Sequence, residues 1–220
     1  MRYTEFLNKK VYLHPIGDVV CDNIAKNIPV EEHLVYFFNK LIKPTDIIIE
    51  GGVYVGLHTI RFSDLVPDGH VYSFEASKRN YDLAVNTIND NNINNVTLYN
   101  KALFSKNTEI YLAESWTPDQ DTITINPTSK KIEAVTIDSL NLPKVDFIKL
   151  DIEGGEFEAL NGCINTITKF QPIITFEYLK HLEHTSPIPF LIENRYTIHQ
   201  IDNHWDYIAF PENYSYENNL

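Results

Sequence analysis

Apolar residues along this chain recur at two spacings. They repeat every three to four positions in residues 30–42 (VEEHLVYFFNKLI), 57–66, 77–89 and 155–168, which predicts helices. In the last of these, Phe157, Leu160, Ile164 and Ile167 share one face. Ser77 is the expected N-cap of the third. Between the helices run DIIIEG (46–51), HVYSFEA (70–76), NVTLYNKAL (95–103), VDFIKLDIEGG (145–155) and PIITFEY (172–178), apolar stretches bounded by turn residues and expected as buried strands. Residues 107–137 depart from this rhythm: TEIYLAE, DTITIN and IEAVTID alternate apolar with polar residues and predict a short antiparallel excursion. PIPFLIEN is a short helix, and YTIHQID with WDYIAF form a closing antiparallel pair. The Asn-rich run 86–95 reads as a solvated helix end and turn.

Strands that alternate with helices predict an α/β fold, a mainly parallel sheet with helices on both faces and an antiparallel last strand. Such a sheet binds ligands beyond the carboxyl ends of its strands. Residues 45–220 carry the pattern; residues 1–44 are an N-terminal segment with one helix, expected to cover an acceptor site or a neighbouring subunit.

Composition narrows the partners. The net charge of −12, from 18 Lys+Arg against 30 Asp+Glu, opposes adhesion to nucleic acid or anionic membrane. No apolar run approaches the roughly 20 residues of a membrane helix, and the first residues lack a secretory signal pattern, so a cytoplasmic location is expected. Cys21 and Cys163 are expected to be packing residues.

The candidate chemistry begins at IIIEGGVYVGLHT (47–59). Gly51, Gly52 and Gly56 follow a buried strand, where missing Cβ atoms let backbone approach a ligand and a helix N-terminus faces it. The spacing is GGxxxG, not the GxGxxG of a dinucleotide enzyme, which disfavours a nicotinamide dehydrogenase. An S-adenosylmethionine (SAM) enzyme instead uses an acid and a looser glycine set, here Glu50, Gly52 and Gly56, at the methionine end. Glu75 ends the next strand 25 positions later, where a carboxylate accepts from both ribose hydroxyls.

Taken in order, IIIEGGVYVGLHT, VYSFEA, NKALFS, VTIDSL and VDFIKLDIEGGEFEALNG resemble the FkbM family of SAM-dependent methyltransferases over roughly residues 45–177. The resemblance implies a Rossmann-like class I methyltransferase fold with a seven-stranded sheet, SAM as cofactor, and O-methylation of a hydroxyl on a sugar or glycan. The alternatives are another small-molecule or lipid hydroxyl, or a non-catalytic module that keeps the cofactor fold. By resemblance, Glu50, Gly52 and Gly56 line the methionine moiety, Glu75 with the following Ala76 holds the ribose, and Lys101, Ala102 and Leu103 border adenine; His58 and Thr59, which begin the first helix, are expected to face the methionine carboxylate. Where the family has a small residue and then Asn, this chain has Val53 and Tyr54. A phenol does not reproduce a carboxamide's donor and acceptor, so Tyr54 either caps the cofactor or is a loop aromatic.

Asp151 and Glu153 end the fourth strand and Glu177 the fifth, converging on the same cleft, with Asp151 also bordering the cofactor. Two roles compete for them. Asp151 or a neighbouring histidine, His181 or His184, takes the acceptor's proton directly. Alternatively Asp151 and Glu177 hold Mg²⁺ or Mn²⁺, which lowers the acceptor's pKa; by resemblance, metal-dependent enzymes of this fold keep acids there, and Glu177 is otherwise structural. Lys149 shares the strand face of Asp151 and is expected to pair with an acid. Trp116 and Trp205 are packing residues or sugar-stacking platforms. Acceptor identity and oligomeric state are not written in the pattern.

Overall fold

The computed structural model describes residues 1–124, 127–178, 186–202 and 204–214. His181 and His184 therefore lie outside the described residues.

The sheet is built around β3 (Ile47–Gly51), whose Ile48 and Ile49 are both fully buried on opposite faces. Both faces must therefore be covered by other elements. In register beside β3 run β4 (His70–Phe74) and then β5 (Val96–Tyr99) on one side, and β10 (Phe147–Leu150) and β11 (Ile173–Glu177) on the other, all parallel. The chain returns through β12 (Tyr196–Gln200) and β13 (Asp206–Pro211); β13 slots antiparallel between β11 and β12. The seven-stranded order is β12-β13-β11-β10-β3-β4-β5. This is the expected Rossmann-like methyltransferase sheet. Strand order reverses between β3 and β10, so the crevice forms beyond their carboxyl ends.

One face packs Ile48 and Phe147 against Leu34 and Phe38 of α2 (Glu32–Leu41) and Phe62 of α3 (Leu57–Leu65). The other packs Ile49, Ile148 and Ile174 against Leu160 of α5 (Glu156–Asn161), Ile167 of α6 (Ile164–Phe170) and Leu191 of α7 (Ile188–Glu193).

Three expectations are corrected. The helix over 155–168 breaks at Gly162, where an added Cβ would sit 2.1 Å from the Phe104 carbonyl oxygen. Helix α6 restarts under the Asp138 carboxylate, which accepts from the Asn165 and Thr166 amides, and Ile164 is left half exposed. The strand over 95–103 divides, and its second part, β6 (Ala102–Leu103), joins a separate sheet of order β6-β9-β7-β8 with β7 (Thr108–Ala113), β8 (Thr122–Thr124) and β9 (Lys130–Val135). The excursion is thus antiparallel except where β6 runs parallel to β9. Finally, the first 30 residues hold elements the pattern did not signal: a hairpin of β1 (Arg2–Phe6) and β2 (Lys9–Leu13), then α1 (Val19–Ala25).

This N-terminal segment is stitched to α4 (Lys78–Asp90). The Tyr12 amide donates to Thr87 Oγ1 and the Lys10 amide to Asn91 Oδ1, so part of the Asn-rich run is structural. Val11, Leu13, Cys21 and Ile24 bury against Leu57, Ile60 and Leu83. Both cysteines are buried, as expected of packing residues. Among the described residues, no helix is long and apolar enough to cross a membrane.

Phe38 is fully buried, its ring 4.8 Å from Phe62 and 5.8 Å from Phe147. Phe38→Ala is expected to lower stability by about 3–5 kcal/mol through lost transfer energy and a residual cavity. Urea denaturation followed by tryptophan fluorescence checks this; a loss below about 1 kcal/mol contradicts the packing described.

Candidate active site

The β3–α3 turn is shaped by one close approach. Gly52 has φ +81°, and a Cβ there would lie 1.7 Å from the Asp151 carbonyl oxygen, so no other residue fits without moving the end of β10. Gly56, at φ +89°, is the N-cap of α3. Tyr54 also holds a left-handed backbone, φ +54°.

Glu75 fixes this turn from the next strand. Its Oε2 accepts from the Val53 and Tyr54 amides at 3.1 and 2.8 Å, and its Oε1 from the Ser77 amide at 2.8 Å. The cap expected from the Ser77 hydroxyl is absent; the Glu75 carboxylate takes over at the start of α4. Burial pushes the Glu75 carboxyl up to about 7 despite these donors. The Tyr54 hydroxyl reaches Cys21 Sγ at 3.2 Å and its ring lies 5.5 Å from His14, which ties the turn to the N-terminal segment.

Above the turn opens a cavity of about 950 Å³. Gly52, Tyr54, Glu75, Ala76, Lys101, Ala102 and Leu103 line it from the ends of β3 to β6. Asp151, Glu153, Glu177 and Trp205 line it from the ends of β10 and β11 and the entry to β13. Four residues expected at the cofactor, Glu50, Gly56, Thr59 and His58, do not line the cavity. Glu50 is fully buried one layer below, accepting from Thr59 Oγ1 and Ser73 Oγ at 2.7 Å each, and Gly56 packs on Thr87 and Ala84 of α4. Thr59 is spent on Glu50. His58 bonds Glu31 instead.

The acid cluster converges as expected. Asp151, Glu153 and Glu177 offer oxygens within 4.8 Å of one another. Lys149 is buried beneath and donates to Asp151 Oδ2 at 2.9 Å, the pairing its strand face implied. One cation does not neutralise three acids. Burial, then repulsion from Asp151 and its neighbours, pushes Glu153 up to about 8 and Glu177 up to about 9. Glu177 Oε2 is buried with no hydrogen-bond partner among the described residues. Trp116 is fully exposed and does not line the cavity.

The structure adds Glu31, His33, Asp119 and Asp206 to the lining. Asp206 was within reach of the sequence, since pairing WDYIAF against PIITFEY sets it opposite Glu177. Glu31 and His33 carried no such signal, because polar residues at the start of an amphipathic helix normally face solvent.

A carboxyl with a raised folded pKa binds protons more tightly in the folded chain. Its contribution is present below the unfolded value and is lost as pH rises through the folded one. With Glu75, Glu153 and Glu177 raised from 4.5 to about 7, 8 and 9, the unfolding temperature is expected to fall as pH climbs across that window. Glu177→Gln should flatten the upper part of the decline. Scanning calorimetry across the range checks both; a rising midpoint refutes the cluster's electrostatics.

A family profile described as the methyltransferase FkbM domain matches residues 50–217. A search of curated proteins by sequence finds no match. Among solved structures, methyltransferase FkbM from Methylobacillus flagellatus KT superposes with a TM-score of 0.58 at 18% identity, over 76% of this chain and 44% of that one. The present chain thus spans less than half that protein's length. A precorrin-6y C5,15-methyltransferase from Geobacter metallireducens GS-15 gives 0.55 at 13% identity, covering 91% and 94% of the two chains. A Streptococcus mutans protein solved in complex with SAH gives 0.52 at 12% identity, covering 83% and 98%. These structural likenesses carry the fold, and the profile carries the family. With its motifs, sheet order and glycine turn in agreement, the chain belongs to the methyltransferase FkbM domain family of SAM-dependent methyltransferases.

Proposed function

We propose that this methyltransferase acts on a hydroxyl group of a sugar or a similar polyhydroxylated small molecule. The observation that carries the reading is the row of carboxylates, Asp151, Glu153 and Glu177, facing the glycine turn across one cavity. Carboxyl groups accept hydrogen bonds from neighbouring hydroxyls and, when protonated, donate to them, while the net charge of −12 repels phosphate-rich acceptors.

The lining residues fit SAM. Gly52 leaves the turn without a side chain, Glu75 retains lone pairs for ribose hydroxyls beyond its three amide donors, and Ala102 and Leu103 offer apolar surface to a base. Bound there, the cofactor supplies a methyl carbon on a positively charged sulfur. The chain's task is alignment and proton removal. Asp151, tied through Oδ2 to Lys149, keeps Oδ1 to orient the acceptor or the cofactor.

Calorimetry is expected to show SAM binding to the wild type and weakening of about tenfold or more in Glu75→Ala, which strands three backbone donors. Asp151→Asn should cut methyl transfer by about 10²-fold while binding survives. No heat at millimolar SAM, or a fully active Asp151→Asn, refutes the respective role.

A second reading adds a divalent cation, favoured by the unpartnered Glu177 Oε2 and the oxygen-only donor set of Asp151, Glu153 and Glu177. Those three carboxylates would hold Mg²⁺ or Mn²⁺, which lowers the pKa of a bound hydroxyl. Adding either ion to EDTA-stripped protein should then raise its unfolding temperature, and Glu177→Gln should abolish the rise. An identical response from both proteins removes the cation.

A further inference from the structure

The cavity holds a second kind of group, a histidine bonded to a carboxylate. His33, the second residue of α2, and Asp206, the first of β13, both line it, with side chains 15% and 19% exposed. His33 Nε2 and Asp206 Oδ2 are 2.6 Å apart. The His33 ring stacks on His204 with centroids 4.2 Å apart and planes 7° from parallel, so its orientation is fixed twice. Nδ1 has no hydrogen-bond partner among the described residues.

A carboxylate in this position accepts from Nε2–H, which leaves the lone pair on Nδ1 and stabilises the imidazolium that forms when Nδ1 takes a proton. Asp206 also sits opposite Glu177 in the sheet, which sets the pair beside the acid cluster and not at the adenine end. The charged groups around it are Glu31 on the approach to α2, His58 on α3, Lys149 and Asp151 from β10, and His204 before β13. Both halves come from segments outside the glycine turn and the strand-end motifs.

We propose that His33 is the catalytic base that takes the proton from the acceptor hydroxyl, and that Asp206 is the positioning residue that holds its tautomer. The assignment rests on the O-methyltransferase reading above. In the step, the hydroxyl proton passes to His33 Nδ1 while the oxygen lone pair forms the bond to the methyl carbon. The carbon–sulfur bond breaks with its electron pair left on sulfur. The products are a methyl ether, S-adenosylhomocysteine and a protonated His33, which returns its proton to solvent.

Two measurements test this on the full chain. Long-range ¹H–¹⁵N spectra at about pH 8 should show His33 as the Nε2–H tautomer. Asp206→Ala should mix the tautomers and Asp206→Glu restore them. A His33 protonated at Nδ1 in the wild type overturns the proposal without reference to any acceptor. In the second, radiolabelled methyl groups are followed from SAM to methyl glycosides of glucose, galactose, mannose and rhamnose. His33→Ala should lose about 10²–10⁴-fold of the transfer with its SAM affinity unchanged, and added imidazole should restore part of the rate. Undiminished transfer, or a loss that tracks SAM affinity and ignores imidazole, reduces His33 to a tie between α2 and β13. A wild type that binds SAM yet methylates none of these glycosides counts against the sugar reading, and the tautomer then decides for the pair.

Discussion

The contact between Gly52 and the Asp151 carbonyl is the constraint on which the site depends. Because nothing larger than hydrogen fits, the turn after β3 lies flat against the end of β10, and the crevice at the reversal of strand order stays open. Glu75 then locks the turn from β4 through two of its amides, so three neighbouring strands share one piece of backbone. A motif that reads as a few glycines is in physical terms a three-strand joint.

Charge is distributed just as unevenly. Lys149 stands opposite Glu50 in register, donates to Asp151 and lies 3.5 Å from the Gly52 carbonyl oxygen. A buried cation in that position compensates the acids beneath the turn and leaves those at its far side, Glu153 and Glu177, in excess. The cavity thus has a neutralised floor and a wall of carboxyls that burial and mutual repulsion keep protonated to higher pH than usual.

The sheet was legible because each strand carries its own period. DIIIEG and VDFIKLD are apolar on both faces, as strands covered on both sides must be, and the short link before WDYIAF forces the antiparallel partner. What the pattern missed lies where tertiary contact overrides local signal. Gly162 breaks a helix because the Phe104 carbonyl occupies its Cβ position, and the β1–β2 hairpin depends on Thr87 and Asn91, some 80 residues away. The acids at strand ends were found because strand topology alone gathers them. Glu50 and Thr59 were expected at the ligand; sequence does not reveal that Thr59 donates to Glu50 below the cavity floor, where Glu50 Oε1 keeps no partner among the described residues.

The hydrogen bond between the Tyr54 hydroxyl and the Cys21 thiol connects the glycine turn to α1, and the same α1 buries Ile24 in the cluster that seats the amino-terminal hairpin. Displacing the amino-terminal segment would therefore have to break the Tyr54–Cys21 contact and open the apolar cluster around Ile24.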